Sequence, residues 1–197
     1  MKDPIQDQLI AARRNQILDA AAHVFADKGF HPTTIKDIAR HAGIADGTIY
    51  NYFENKTALL MGILERMREQ AIQQMPPLPT DLGDFHNLVR FYLQAALQQQ
   101  NTSLFRIVIS EMMVNPELRV QYQQTILEPT LQMAEMLFAE RGLPPDELRL
   151  LVRAISGMVM GLIMQHIMGD SLVVDHWDTL PDRIAELLVN GIGRAVS

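Results

Sequence analysis

Asp46, Gly47, Thr48, Tyr50, Asn51 and Lys56 lie in one short stretch whose groups suit recognition of a duplex. The Asn51 amide can pair bidentately with adenine, which makes it the best candidate for a base contact. Asp46 can accept from cytosine or cap a helix, and Gly47 lets backbone come close to DNA. Lys56 falls in the first turn of an expected helix, where a cation opposes the dipole, so it calls for a partner. A DNA phosphate held at that helix N-terminus would be one. Lys36, on the preceding helix, can reach a phosphate or a base edge. Catalytic chemistry has less to stand on: there is no Gly-rich phosphate loop, G-x-S-x-G elbow or H-E-x-x-H. Asp37/His41 and His166/Asp170 are spaced four apart, and each could hold half a metal site that needs further ligands. An i,i+4 charge pair and a polar rim explain them more simply. No metal, no cofactor and no enzymatic activity is therefore expected.

The residues around these groups must hold them on a helix-turn-helix. In TIKDIARHAGIADGTIYNY, Thr34 can cap a helix, with Asp37 as the reciprocal partner of a capping box. Ile35, Ile38, Ala39 and Ala42 share one face. Gly43 supplies the left-handed residue that ends the helix. The second helix, about 46–52, packs back through Ile49 and Tyr52 or Phe53, leaving its front free for the major groove of B-DNA. Asp46, if it takes over capping from Ala45, shifts that helix start by one. A helix over 8–28 precedes the motif. Asn55 can cap a fourth helix that runs to about Met75, where MPPLP breaks it.

The run TTIKDIARHAGIADGTIYNYFENKTALL closely resembles the head of TetR-type transcriptional regulators, specifically over Gly29 to Leu60 and beyond it only in length and helix order. The matching residues include Thr34, Ala39, Gly43, Gly47, Thr48, Tyr50, Tyr52, Phe53 and Lys56; Ala45 departs, standing where the usual cap is serine. The resemblance implies that Thr33 or Thr34, Thr48, Tyr50 and Lys56 bind phosphates. It implies a cytoplasmic repressor that binds a palindromic operator as a homodimer and is released by a small molecule. Arg13 and Arg14 are either phosphate contacts of this kind or a solvated basic pair. A protein-interaction module that kept the fold and lost DNA binding is disfavoured by the presence of Thr48, Tyr50 and Lys56.

Composition agrees. With 48% apolar residues the chain can bury a full core, and without cysteine it has no disulfide or thiolate site. MKDPIQDQ does not read as a signal peptide. The net charge of −6 divides unevenly: residues 1–56 hold seven basic and seven acidic residues, the rest ten and sixteen. The acidic excess thus lies away from the duplex, where it should limit nonspecific binding.

The remainder reads as helices over 81–100, 102–113, 117–140 with a kink at Glu128-Pro129, about 145–168, and 181–195, with MGDSLVVDHWD as a loop. The expectation is an all-α protein of about nine helices: a DNA-binding domain over 1–55 and a ligand-sensing, dimerising domain over 56–197. Leu150–Met168 is membrane-like in hydropathy, but Arg153, Gln165 and His166 favour a buried helix, and no membrane partner is expected. A helix apolar on all sides must be covered on all sides. Leu151, Ile155, Gly157, Met158 and Gly161 of this helix, with Ile184 and Leu188 of the last, are expected to form a four-helix dimer interface. Two-fold symmetry would then set two reading helices roughly 34 Å apart. An aromatic or lipophilic ligand is expected in the body, near Ile63, Met67, Phe91, Phe105, Met112, Met133 and Met158; methionine, of which the chain has twelve, adapts to irregular apolar cavities.

Overall fold

The structure, a computed structural model, describes residues 4–74, 82–97, 99–139 and 144–195. All regular elements among them are helical. In chain order they are α1 Pro4–Lys28, α2 Ile35–Ala42, α3 Asp46–Tyr50, α4 Lys56–Gln73, α5 Leu82–Ala96, α6 Gln99–Val114, α7 Pro116–Tyr122, α8 Glu128–Phe138, α9 Pro145–Met168, α10 Ser171–Asp175 and α11 Leu180–Ala195. The expected breaks at MPPLP and Arg141-Gly142 lie outside the described residues.

The chain forms two compact units. The first comprises residues 1–69 and 103–122, the second 70–102 and 123–197. In the first, Ile17, Leu18, Ala21 and Phe25 of α1 are buried, as are Ile38, Ala39 and Ala42 of α2 and Ile49 of α3. The capping box forms: the Thr34 hydroxyl accepts from the Asp37 N–H, and Asp37 accepts from the Thr34 N–H. Gly43 takes φ 68°, with bonds from its own N–H to Arg40 O and from Ile44 N–H to Ala39 O that close the helix end. Asn55 caps α4 through the Ala58 N–H. Phe53, rather than Tyr52, supplies the fully packed aromatic. Helix α1 starts earlier than the apolar pattern suggests, at Pro4, because a proline at the first position forfeits no helical bond.

In the second unit α5 and α11 pack through Val89, Leu93, Ile184 and Ala185, with Val159, Leu162, Leu180 and Leu188 against them. A smaller cluster joins Leu131 to Leu148 and Val152. Arg153 bonds Glu135 at 2.8 Å across α8 and α9. Trp177 donates its indole N–H to the Leu97 carbonyl at 2.7 Å and stacks on His166.

Two expectations need correction. The helix foreseen over 117–140 is divided by a π-helical turn, Gln123–Leu127. Pro129 has no N–H to give the carbonyl four residues back and its ring crowds that carbonyl, so the turn widens; the Thr130 hydroxyl then satisfies Ile126 O at 2.6 Å. The foreseen loop after Met168 holds a short helix, α10, capped by Asp170, and a 3-10 turn, Trp177–Thr179. Helix α9 is covered only in part among the described residues, with Leu148, Val152 and Ile163 buried. It is long and apolar enough to cross a membrane by length and composition alone, with mean hydropathy 1.6, yet only 11% of its most apolar window is covered.

Candidate nucleic-acid interface

Helix α3 is positioned from behind. Ile49 is fully buried, and the Schellman turn at Gly43 sets the angle at which the second helix leaves the first. The front carries Tyr50, more than half exposed, and the exposed Gly47 and Asn51. A Cβ built on Gly47 meets nothing within 4 Å, and its φ is not positive. The protein's own packing therefore does not require glycine there. Asp46 is the first residue of α3, not its cap; Ala45 holds the cap position without a side-chain bond. The one-residue shift does not occur, because the start is fixed by the Thr48 N–H bond to Ala45 O at 2.9 Å.

The two threonines part company. Thr33 is buried and gives its hydroxyl to Gly29 O at 2.6 Å, so it braces the α1–α2 connector and its side chain has no route to a phosphate. Thr34 is exposed. Its neighbour Asp37 also receives Lys28 Nζ at 2.9 Å. The Lys28 ammonium, then the Thr34 hydroxyl and N–H, hold the Asp37 carboxyl well below the usual carboxylate range.

Lys56 has the partner its position calls for, but within the protein. Its ammonium donates to Phe30 O at 2.8 Å and His31 O at 3.0 Å, and lies over the Phe30 ring. An ammonium has three N–H donors, so one is left for a phosphate. Arg14 lies over the Phe53 ring and 3.7 Å from Glu65, while Arg13 bonds Gln16.

Sequence reasoning missed several residues here. Gln16 donates to Ala42 O at 2.7 Å and closes the C-terminus of α2 from α1. Gly62 lies where a Cβ would come 2.9 Å from Phe53 and 3.0 Å from Leu18. Arg66 bonds Asp19 and Asn15 O. Most of these contacts span tens of residues and leave no local pattern. Arg40 is different: it stands one turn beyond Lys36 with its guanidinium well exposed, and spacing could have found it.

The other expected sites are divided between the two units. Ile63, Met67, Phe105 and Met112 belong to the first unit, and Phe91, Met133 and Met158 to the second. Ile63 is fully buried. On α9, Gly157, Gly161 and Met158 are exposed, with Leu151 and Ile155 half-buried. Ile184, expected on an outer interface, is instead in the α5–α11 core, while Leu187 of α11 is exposed. The half-sites for metal are otherwise engaged: Asp37 as above, Asp170 as a cap, His166 against Trp177.

The profile described as bacterial regulatory proteins, tetR family, matches residues 17–62. The fatty acid metabolism regulator protein of Bacillus subtilis (strain 168) is 45% identical over 60 residues, 30% of this chain and 31% of that one. The repressor KstR2 of Rhodococcus jostii (strain RHA1) is 43% identical over 54 residues, 27% of this chain and 26% of that one. The aligned stretch thus spans about a third of these relatives. Solved structures extend the likeness. The fatty acid degradation regulator FadR of Bacillus halodurans superposes with a TM-score of 0.70 at 26% identity, over 97% of both chains. FadR of Bacillus subtilis, in complex with stearoyl-CoA, does so with 0.68 at 28% identity, over 89% of this chain and 97% of that one.

Proposed function

We propose that the chain, whose residues 17–62 match the tetR family of bacterial regulatory proteins, is a transcriptional repressor that binds a palindromic operator as a homodimer. The observation that carries the reading is the front of α3: an exposed Tyr50 and Asn51 beside a glycine that the protein itself does not need. Asn51 reads a base, with Asp46 free to accept from a cytosine. Thr34, Lys36, Thr48, Tyr50 and the third donor of Lys56 fix the register on phosphates. The functional division is a DNA-binding domain over 1–55 and a sensing and dimerising domain over 56–197, and the protein works in the cytoplasm.

A second copy covers the outer face of α9 along Leu151, Ile155, Gly157, Met158 and Gly161, aided by Leu188. An interface of this obligate kind buries on the order of 2,000 Å² or more. The effector is lipophilic, and the relatives named for fatty acid regulation favour an acyl chain over an aromatic ring. It loosens the grip on DNA by binding two states unequally.

Selection of bound DNA from random duplexes tests the reading. A near-palindromic site whose affinity falls steeply with salt is expected. Lys56→Gln should weaken all sequences alike, whereas Asn51→Ala should relax preference at one position per half-site. Recovery of no preferred sequence would sink the proposal.

A further inference from the structure

Among the described residues Glu111 of α6 is the only charged residue that is buried, at 5% exposure. A carboxylate withdrawn from water is costly unless a charge or hydrogen bonds meet it. Among those residues it has one ion-pair partner, His31, whose Nε2 lies 2.8 Å from Glu111 Oε1. The contact is off the line of a hydrogen bond, and Oε1 has no other donor. Attraction across it therefore rests on charge, and an imidazole is charged only when protonated. The imidazole is largely exposed, so its proton exchanges with solvent.

His31 lies in the α1–α2 connector, where several groups expected at DNA begin. Lys56 of α4 uses two donors on the Phe30 and His31 carbonyls, and Thr34 caps α2. The backbone of His31 is thus held from α4 and its side chain from α6. A shift of the connector moves the free donor of Lys56 and the start of α2 together. The charged groups at this place are Lys56 and Glu111, with Lys28 of α1 engaged by Asp37 of α2. Protonated His31 beside Lys56 would be repelled without the acid. Stability alone does not call for that acid, since an apolar side chain of similar volume in place of a buried ion is often neutral or stabilising.

We propose that Glu111 is a positioning residue for DNA binding: it draws in protonated His31 and so fixes the connector from which Thr34 and Lys56 meet the duplex. This rests on the reading of the protein as a DNA-binding regulator, and it makes operator affinity depend on the proton carried by His31. Binding is tightest when His31 is charged, and the added grip is lost as that proton leaves.

Fluorescence anisotropy with the duplex recovered by the selection above tests this on the full-length protein. Exposed His23 and His41 also gain charge as the pH falls, so the comparison is between parent and variants at each pH. At about pH 6 the parent should bind roughly 3- to 10-fold more tightly than Glu111→Gln, and at about pH 8 the gap should close. His31→Gln should behave like Glu111→Gln, and the double variant should be no weaker than either single one. His31→Lys, charged at both pH values, should bind tightly at both. Glu111→Met, checked for an unchanged helical spectrum and melting temperature, guards against a variant that does not fold and should also lack the gain at low pH. A gap that is equal at both pH values, or a double variant that loses the sum of the two single losses, overturns the proposal. Recovery of no preferred duplex sinks the regulator reading and this proposal with it, whereas a preferred duplex bound without regard to the pair sinks this proposal alone.

Discussion

Gly47 separates folding from recognition within one side chain. Alanine there meets no atom of the protein and is the better helix former by about 1 kcal/mol. Gly47→Ala should therefore hold or raise the melting temperature while lowering operator affinity at least tenfold; a variant that binds as tightly as the parent would show that no backbone approaches DNA there. Asp37 makes the opposite case, a charged group near the interface whose work is structural. Its carboxyl is depressed by Lys28 and Thr34, so its contribution is complete above the ordinary value of 3.8 and is lost as the pH falls below it. The gap in melting temperature between the parent and Asp37→Asn should be widest near neutrality and close as the pH drops below about 4. Because the Lys28 ammonium that faces it is exposed, salt should narrow the gap as well. A constant gap across that range would place its role in packing. The capping box and its carboxylate were legible in the order of residues, since a cap and its partner are three apart. The Lys28 contact was not, because it comes from another helix.

Helices report on their neighbours. Helix α4 is fastened to α1 by Arg66 on Asp19 and by the close approach at Gly62, and to the α1–α2 connector by Lys56. Gly62→Ala gains helix propensity yet pushes a methyl into Phe53 and Leu18, both buried. Overpacking of this kind costs about 1–3 kcal/mol, more than the propensity returns. Thermal melts should show a net loss, and a net gain would mean that Phe53 moves aside freely. The helices themselves could be read from apolar spacing and from their punctuation at Gly29, Gly43, Asn55 and Asn115. The widened turn at Gln123–Leu127 could be read only as a kink at Pro129. A sequence shows that a proline withdraws a donor; which neighbouring carbonyls then find new partners depends on the helix that results.

For the molecule as a whole, the proposed assembly rests on the side of α9 that the described residues leave uncovered. Met158→Asp puts a charge on a face that the second subunit is proposed to cover and that the chain itself leaves open. Sedimentation should show monomers at concentrations where the parent is dimeric. Operator affinity should fall steeply with it, since half-sites would be read one at a time. A dimer that survives this change would move the interface elsewhere. The order of residues alone determined that the chain is helical, where the helix-turn-helix lies, and which side chains stand on its front, because caps, glycine turns and apolar periodicity act over a few residues. Only the tertiary structure decided that Thr33 faces inward, that Lys56 is shared with two carbonyls, and that Ile184 belongs to the core. Each of those outcomes turns on what a distant segment brings alongside, and short-range spacing carries no record of it.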